Sequence, residues 1–250
     1  MGVSGGPYIV RDSSLVLELD AADRNSYPGS GTTWTDLTAN NNNGTLTNGP
    51  TFSSTNGGSI VFDGVDDYAS INNTVGNFGT SDFTINFFFK TTEPTFPSTF
   101  IAKSIGDNPT SDYGWLVNNG SNGTNLGFGI ASVNGSWGAN GSYSIQTSGA
   151  NIRNGLWQMA TVVGIRTQSN VSIYLNAVTQ TLQSYVGAAS FATVGNVSNA
   201  RTLCIASESD VSISPYPIEA NISIVQIYNR ALSASEILQN YNAQKSRFNL

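Results

Sequence analysis

The sequence contains no histidine, one cysteine and few charged residues, 10% against the roughly 25% usual for a domain. Each scarcity excludes something. Without histidine there is no Ser-His-Asp or Cys-His nucleophile system, no imidazole acid–base catalysis and no imidazole metal ligand. A lone Cys204 excludes an intrachain disulfide. It sits in the alternating run TLCIAS, where a small apolar residue is expected. Ten basic residues, in no run, against 16 acidic ones leave a net charge of −6. That excludes nucleic acid and an anionic membrane surface as partners, because both are held by clustered Lys and Arg. No apolar stretch approaches the ~20 residues that span a bilayer. The N-terminal MGVSGGPYIVRD lacks the basic and apolar regions of a secretory signal. A protein of this kind working outside a cell is expected to leave by another route, such as release inside a virus particle.

What is present is β-structure. Twelve Phe, ten Tyr and four Trp supply bulky core filling. Short apolar runs recur between clusters of Gly, Asn, Ser, Pro and Asp. SLVLELD (14–20) places Leu15, Leu17 and Leu19 on one face, and DFTINFFFK (82–90) does the same with Phe83, Ile85, Phe87 and Phe89. LWQMATVVGI (156–165) reads as a central strand. VSIYLNAVTQTL (171–182) reads as a hairpin turning at Asn176-Ala177, and NNGSNGTN (118–125) as a hairpin tip. Residues 38–58 read as loops around one short strand. Many strands at this spacing indicate an all-β sandwich or barrel in one domain. The domain runs over 13–250 behind an N-terminal arm, 1–12, whose Gly and Pro suit docking on a partner. One segment is helical, at about 233–243. Ser233 and Glu236 form a capping box, Leu232 and Ile237 a hydrophobic staple, and Leu238 and Tyr241 continue the apolar face.

Three patterns bear on chemistry. In SIVFDGVDDYASI (59–71), Asp63, Asp66 and Asp67 fit the polar bend of a β-hairpin, with a metal site as the alternative. In TDLTANNNNGT, Asp36 and Asn40 to Asn43 fit an Asx-rich turn. A Ca²⁺ held by their oxygens is the alternative, without a definable ligand set. No cofactor is expected. Sugar binding calls for a ring beneath the sugar and polar groups around it. Trp115, Trp137 and Tyr143 lie in loop-rich stretches and are the carbohydrate-binding candidates, whereas Trp34 and Trp157 read as core.

In order, SLVLELDAADRNSYPGSGTTWTDLTANNNNGTLTNGPTF, GGSIVFDGVDDYASI, DFTINFFFKT, NGLWQMATVV, VSIYLNAVTQTL and ISIVQIYNRALSASEILQNYNAQKSRF resemble the laminin-G-like, concanavalin A-like sandwich family over almost the whole chain. The resemblance implies an antiparallel two-sheet jelly roll with a concave and a convex face. Relatives on this sandwich include glucanases carrying Glu-x-Asp-x-x-Glu on the concave face. ELDAAD offers Glu18, Asp20 and Asp23, in the first strand and with Asp in the last place. ESDVSI offers Glu208 and Asp210, then Ile213. Neither completes the pattern, and no catalytic residue is expected. Glu18 and Asp20 read as the solvent side of their strand.

The first and last stretches look like single-domain structural proteins of tailed bacteriophages. That implies a non-enzymatic virion protein, a capsid decoration or head-surface component assembled in the host cytoplasm. Its partners would be other virion proteins of capsid or tail, with a homo-oligomer left open. The alternative is a lectin-like carbohydrate-binding module, on a tail fibre or as an adhesin, recognising host surface glycans.

Overall fold

The computed structural model describes residues 8–104, 113–132, 141–185, 190–210 and 216–250. Among them the chain forms seventeen strands. They are β1 (Leu15–Asp20), β2 (Thr33–Trp34), β3 (Gly44–Thr47), β4 (Thr51–Ser53), β5 (Ser59–Asp63), β6 (Tyr68–Ile71), β7 (Phe83–Lys90), β8 (Thr99–Ser104) and β9 (Gly114–Asn118). The series continues with β10 (Gly127–Ala131), β11 (Ser142–Thr147), β12 (Gln158–Ile165), β13 (Asn170–Leu175), β14 (Val178–Thr179), β15 (Leu182–Ser184), β16 (Leu203–Ile205) and β17 (Glu219–Tyr228). One α-helix, α1 (Ala234–Gln244), and a 3₁₀ turn, Lys245–Phe248, end the chain.

Two antiparallel sheets form a sandwich. Sheet A runs β14-β13-β12-β7-β17-β5-β4, with β1 sharing the edge of β17 beyond β5. Sheet B runs β15-β11-β10-β9-β8-β16-β6-β3-β2. Phe83, Ile85, Phe87 and Phe89 point from β7 into the main core, as the alternation predicts. They meet Phe100, Phe128 and Trp115 of sheet B, and Phe87, Phe89 and Phe100 pack with ring centroids 4.7–5.5 Å apart. Trp34 and Trp157 are buried, as read from sequence. Asn176 and Ala177 both have positive φ, so the β13–β14 turn has the twist that two-residue hairpins favour.

The outer face of sheet A is buried as well. Phe88, Met159, Val163, Ile224 and Tyr228 form a second core with Leu232, Ile237 and Phe248. This explains the unbroken apolar run FFF in β7, whose two faces each meet a hydrophobic layer. The capping box of α1 is present, with Ser233 accepting from the Glu236 amide and Glu236 from the Ser233 amide. Leu238 is the exception to the expected apolar stripe, at 49% exposure on the outer side of the helix.

Part of the N-terminal arm belongs to this layer. Val10 N donates to Asn240 Oδ1 (2.7 Å), Asn240 Nδ2 donates to Tyr228 Oη (3.0 Å), and Tyr228 Oη donates to Val10 O (3.0 Å). This closed ring ties arm, strand and helix together. Arg230 then joins Asp12 to Glu236 at 2.7 Å each. Residues 8–12 of the arm thus bond to their own chain.

Two sequence expectations change here. Residues 38–58 hold two short strands, β3 and β4, one in each sheet. The DGVDD bend is not a hairpin. Asp63 pairs with Glu219 in sheet A, and Tyr68 pairs with Thr47 in sheet B. Residues 64–67 therefore carry the chain across the ~10 Å between sheets. Alternation marks both strands but is silent on which neighbour each takes.

The Ser14 hydroxyl and then Arg230 hold the Asp12 carboxyl down at about 2, and Arg230 holds the Glu236 carboxyl down at about 2. Both folded values lie below the unfolded ones, near 4. Their contribution is therefore complete above that and lost as pH falls toward 2. Urea midpoints measured from pH 6 to pH 2 should fall through this window, and the fall should be shallower in Arg230→Met.

Candidate functional site

Sheet A is covered on both sides, whereas the outer face of sheet B has no second hydrophobic cluster among the described residues. Trp115, Val117, Phe128, Ile130 and Ile145 point inward from β9–β11, so their neighbours point out. Those are Ala102, Leu116, Asn118, Gly127, Gly129, Ser144 and Gln146, a neutral row of small and amide-bearing residues. Gly127 is required there, because a Cβ would stand 2.1 Å from Asn118 Oδ1. Asn118 Oδ1 accepts from Gly120 N (3.1 Å). Gln146 accepts from Ser121 N (2.7 Å) and donates to Ser121 Oγ (2.9 Å). The amides are therefore fixed in orientation. Ser104 Oγ, also outward, is buried without a hydrogen-bond partner among the described residues.

These side chains are themselves largely buried, Asn118 at 5% and Ser144 and Gln146 at 4% exposure, and aromatic residues lie beside them. Tyr185 follows Gln183 and Ser184 on β15 and takes the outward direction, its amide bonding Ser144 O. Phe96 meets its ring edge-on, 6.4 Å between centroids. Tyr216 stands beside the start of β8, its carbonyl accepting from Thr99 N (2.9 Å). Phe96 and Tyr216 are 42% and 38% exposed. Burial raises the Tyr185 phenol pKa; a hydrogen bond with Asn118 opposes this and the nearby Glu208 charge adds to it. The rim thus joins ring faces to fixed amides, the arrangement that holds a polyhydroxylated ring.

Two of the three aromatics expected from sequence, Trp115 and Tyr143, serve the interior. Trp115 is corrected to a core residue: it is fully buried, stacks on Phe78 at 5.3 Å and donates its indole N–H to Gly76 O (2.8 Å). Tyr143 pairs with inward Ile130 and packs against Phe191 at 5.4 Å, so it too serves the interior. Trp137 lies outside the described residues. The one sequence signal for Phe96 is its place between Pro94 and Pro97, which rules out a core strand.

The acidic motifs resolve into structural roles. Asp36 accepts from Glu18 N, Thr38 N, Thr38 Oγ1 and Asn42 N at 2.7–3.0 Å, filling both oxygens as the Asx-turn reading requires. Glu18 is not on a solvent face: it is buried at 4% exposure and paired with Arg11 at 2.6 Å. Asp20 is held by both oxygens on Arg247 at 2.9 Å. Of ESDVSI, Ile213 lies outside the described residues. Burial pushes the Cys204 thiol up to about 12, in keeping with an inert core cysteine.

Asp63, Asp66 and Asp67 bring one oxygen each within 4.8 Å of the others. The corner explains their positions. Asp63 Oδ1 accepts from Val65 N (2.8 Å), Asp67 Oδ2 accepts from Asp63 N (3.2 Å), and Asn48 donates to Asp66 O (2.8 Å). Gly64 makes the turn at positive φ, where a Cβ would lie 2.8 Å from Glu219 N.

The model of the concanavalin A-like lectin/glucanases superfamily matches residues 63–238. The chain belongs to this superfamily. No curated protein sequence matches it. Among solved structures it is similar to the binding domain of Paraclostridial Mosquitocidal Protein 1 (TM-score 0.65, 17% identity, 92% of this chain, 52% of that one). It is similar to the botulinum neurotoxin serotype D ligand binding domain solved with N-acetylneuraminic acid (0.66, 16%, 92% and 51%). A Trypanosoma rangeli sialidase also matches (0.63, 16%, 95% and 34%). The chain spans about half of the first two structures and a third of the last. At such identity the likeness concerns the sandwich fold. No described helix is long and apolar enough to cross a membrane.

Burial and the neighbouring Asp63 and Asp66 charges raise the Asp67 pKa. Ionised Asp67 therefore opposes folding at neutral pH, and stability gained from its protonation appears as pH falls toward the raised value. Asp67→Asn keeps the acceptor for Asp63 N and removes the charge. It should raise Tm by a few degrees at pH 7 and show a smaller gain than wild type on acidification to pH 5.

Proposed function

We propose that this chain is a non-enzymatic, glycan-binding sandwich whose ligand sits at the Phe96–Tyr185–Tyr216 rim and reaches the amide row of sheet B. The observation that carries this reading is the exposed Phe96 meeting Tyr185, whose phenol bonds Asn118, one of the fixed, neutral amides. Sugars present C–H faces and hydroxyl edges. A ring packs on the former, and Asn and Gln both donate to and accept from the latter. Scarce surface charge fits a neutral ligand better than an electrostatically steered one.

The alternative drawn from sequence, a lectin-like module, thereby becomes the preferred reading. Solved relatives that are binding domains, one titled as a complex with N-acetylneuraminic acid, support it by analogy of fold. The virion reading, head-surface or tail, rests on the wording of two sequence stretches, and neither the fold nor the relatives add to it. A non-enzymatic role is supported by the incomplete carboxylate motif and by the other duties of Glu18 and Asp20.

On a printed array of neutral and acidic oligosaccharides, the intact protein should bind a discrete set of glycans. Phe96→Ala and Tyr185→Ala should each weaken that binding at least tenfold. Leu156→Ala, exposed on a different loop, should leave it unchanged. Equal binding by all four proteins would remove the rim from the account.

A further inference from the structure

The end of the sandwich opposite the aromatic rim carries a second recess. Two clefts of about 340 Å³ each share Asn40 as a wall. In one, Glu18 lies with Arg11 and Thr38; in the other, Asn42, Thr74 and Asn229 stand around Val16 and Val75. β8 separates this end from Phe96. Thr99 begins near the rim, and Lys103 near the other end reaches Asn73 O (2.8 Å), next to Thr74. Six strand residues put the two ends roughly 17 Å apart.

The lining defines the ligand. Glu18 Oε1 takes the Arg11 guanidinium, and no described residue donates to Oε2. The Asn42 amide is fixed, its Nδ2 on Val16 O (2.8 Å) and its Oδ1 taking Asn72 Nδ2. Asn229 is exposed, and its side chain has no hydrogen bond among the described residues. In the cleft of Asn42 and Asn229, Val16 and Val75 supply an apolar floor, with Glu18 beyond Asn40 in the adjoining cleft. A metal ion is disfavoured, because the one buried carboxylate is already neutralised by Arg11. A phosphate or sulfate is disfavoured, because Asp12 and Glu18 face the single cation. A ring with hydroxyl edges and C–H faces matches fixed amides, a half-free carboxylate and valines together.

We propose that this groove is a second saccharide-binding site, recognising uncharged sugars, so that one chain carries two glycan sites at opposite ends of its sandwich. It is carried by residues separate from the rim, and the two readings stand or fall apart.

The glycan array is probed with wild type, Phe96→Ala/Tyr185→Ala, Asn229→Ala, Glu18→Gln and the combination of all four substitutions. Asn229→Ala removes no structural hydrogen bond, so its fold is secure, and Glu18→Gln keeps the shape of the side chain. The expected result is a set of neutral glycans that persists in the rim variant and drops at least tenfold in Asn229→Ala and Glu18→Gln, with no binding left in the combination. Calorimetry with a glycan of that set should give one site in the rim variant. Loss of every bound glycan in the rim variant, or an array unchanged by both Asn229→Ala and Glu18→Gln, overturns the second site and leaves the rim reading intact. Persistence of all binding in the rim variant with loss in Asn229→Ala does the reverse. A wild-type protein that binds no glycan overturns both.

Discussion

Sheet A is buried on both faces, and the rest of the molecule follows from that. Its inner face meets sheet B, and its outer face meets α1, the Lys245–Phe248 turn and residues 9–10 of the arm. A sheet covered twice needs apolar residues at consecutive positions, which β7 and β17 supply. Among the described residues the hydrophobic partner of sheet B is sheet A, and its other face carries Asn, Gln, Ser and Gly.

The covering layer is held by few polar contacts, each demanding. The ring of Val10, Asn240 and Tyr228 satisfies groups that would otherwise be buried alone. Leaving one of them unmade costs about 1–3 kcal/mol. Residues 9–12 of the arm and the helix therefore stand together. Charge is spent in the same sparing way. Arg11, Arg230 and Arg247 each pair with a carboxylate near the N- or C-terminal segments.

Local signals in the sequence were read well. Period-two alternation placed the Phe residues of β7, the capping box placed α1, and Asn176-Ala177 placed a turn, because each depends on residues a few positions apart. What failed depends on distant partners. SIVFD and YASI alternate in the manner of hairpin strands, yet join different sheets, and only Glu219 and Thr47, far along the chain, decide this. Glu18 looked solvent-facing because the arm that covers it has no pattern of its own. Trp115 looked exposed because Gly and Asn surround it in sequence, while in space Phe78 and Gly76 do. Phe96 and Tyr185 meet although they come from separate segments, which no single stretch reveals.

The central claim is that sugars are held at the rim and amide row of sheet B. The most direct measurement is a ¹H–¹⁵N titration of the labelled protein with an oligosaccharide chosen from the array for losing its binding in Phe96→Ala/Tyr185→Ala. The account predicts that the shifting signals include the Asn118 and Gln146 side-chain amides and the backbone amides of Gly127 and Gly129. Shifts confined to α1, the outer side of sheet A or the Asp63–Asp67 corner would contradict it.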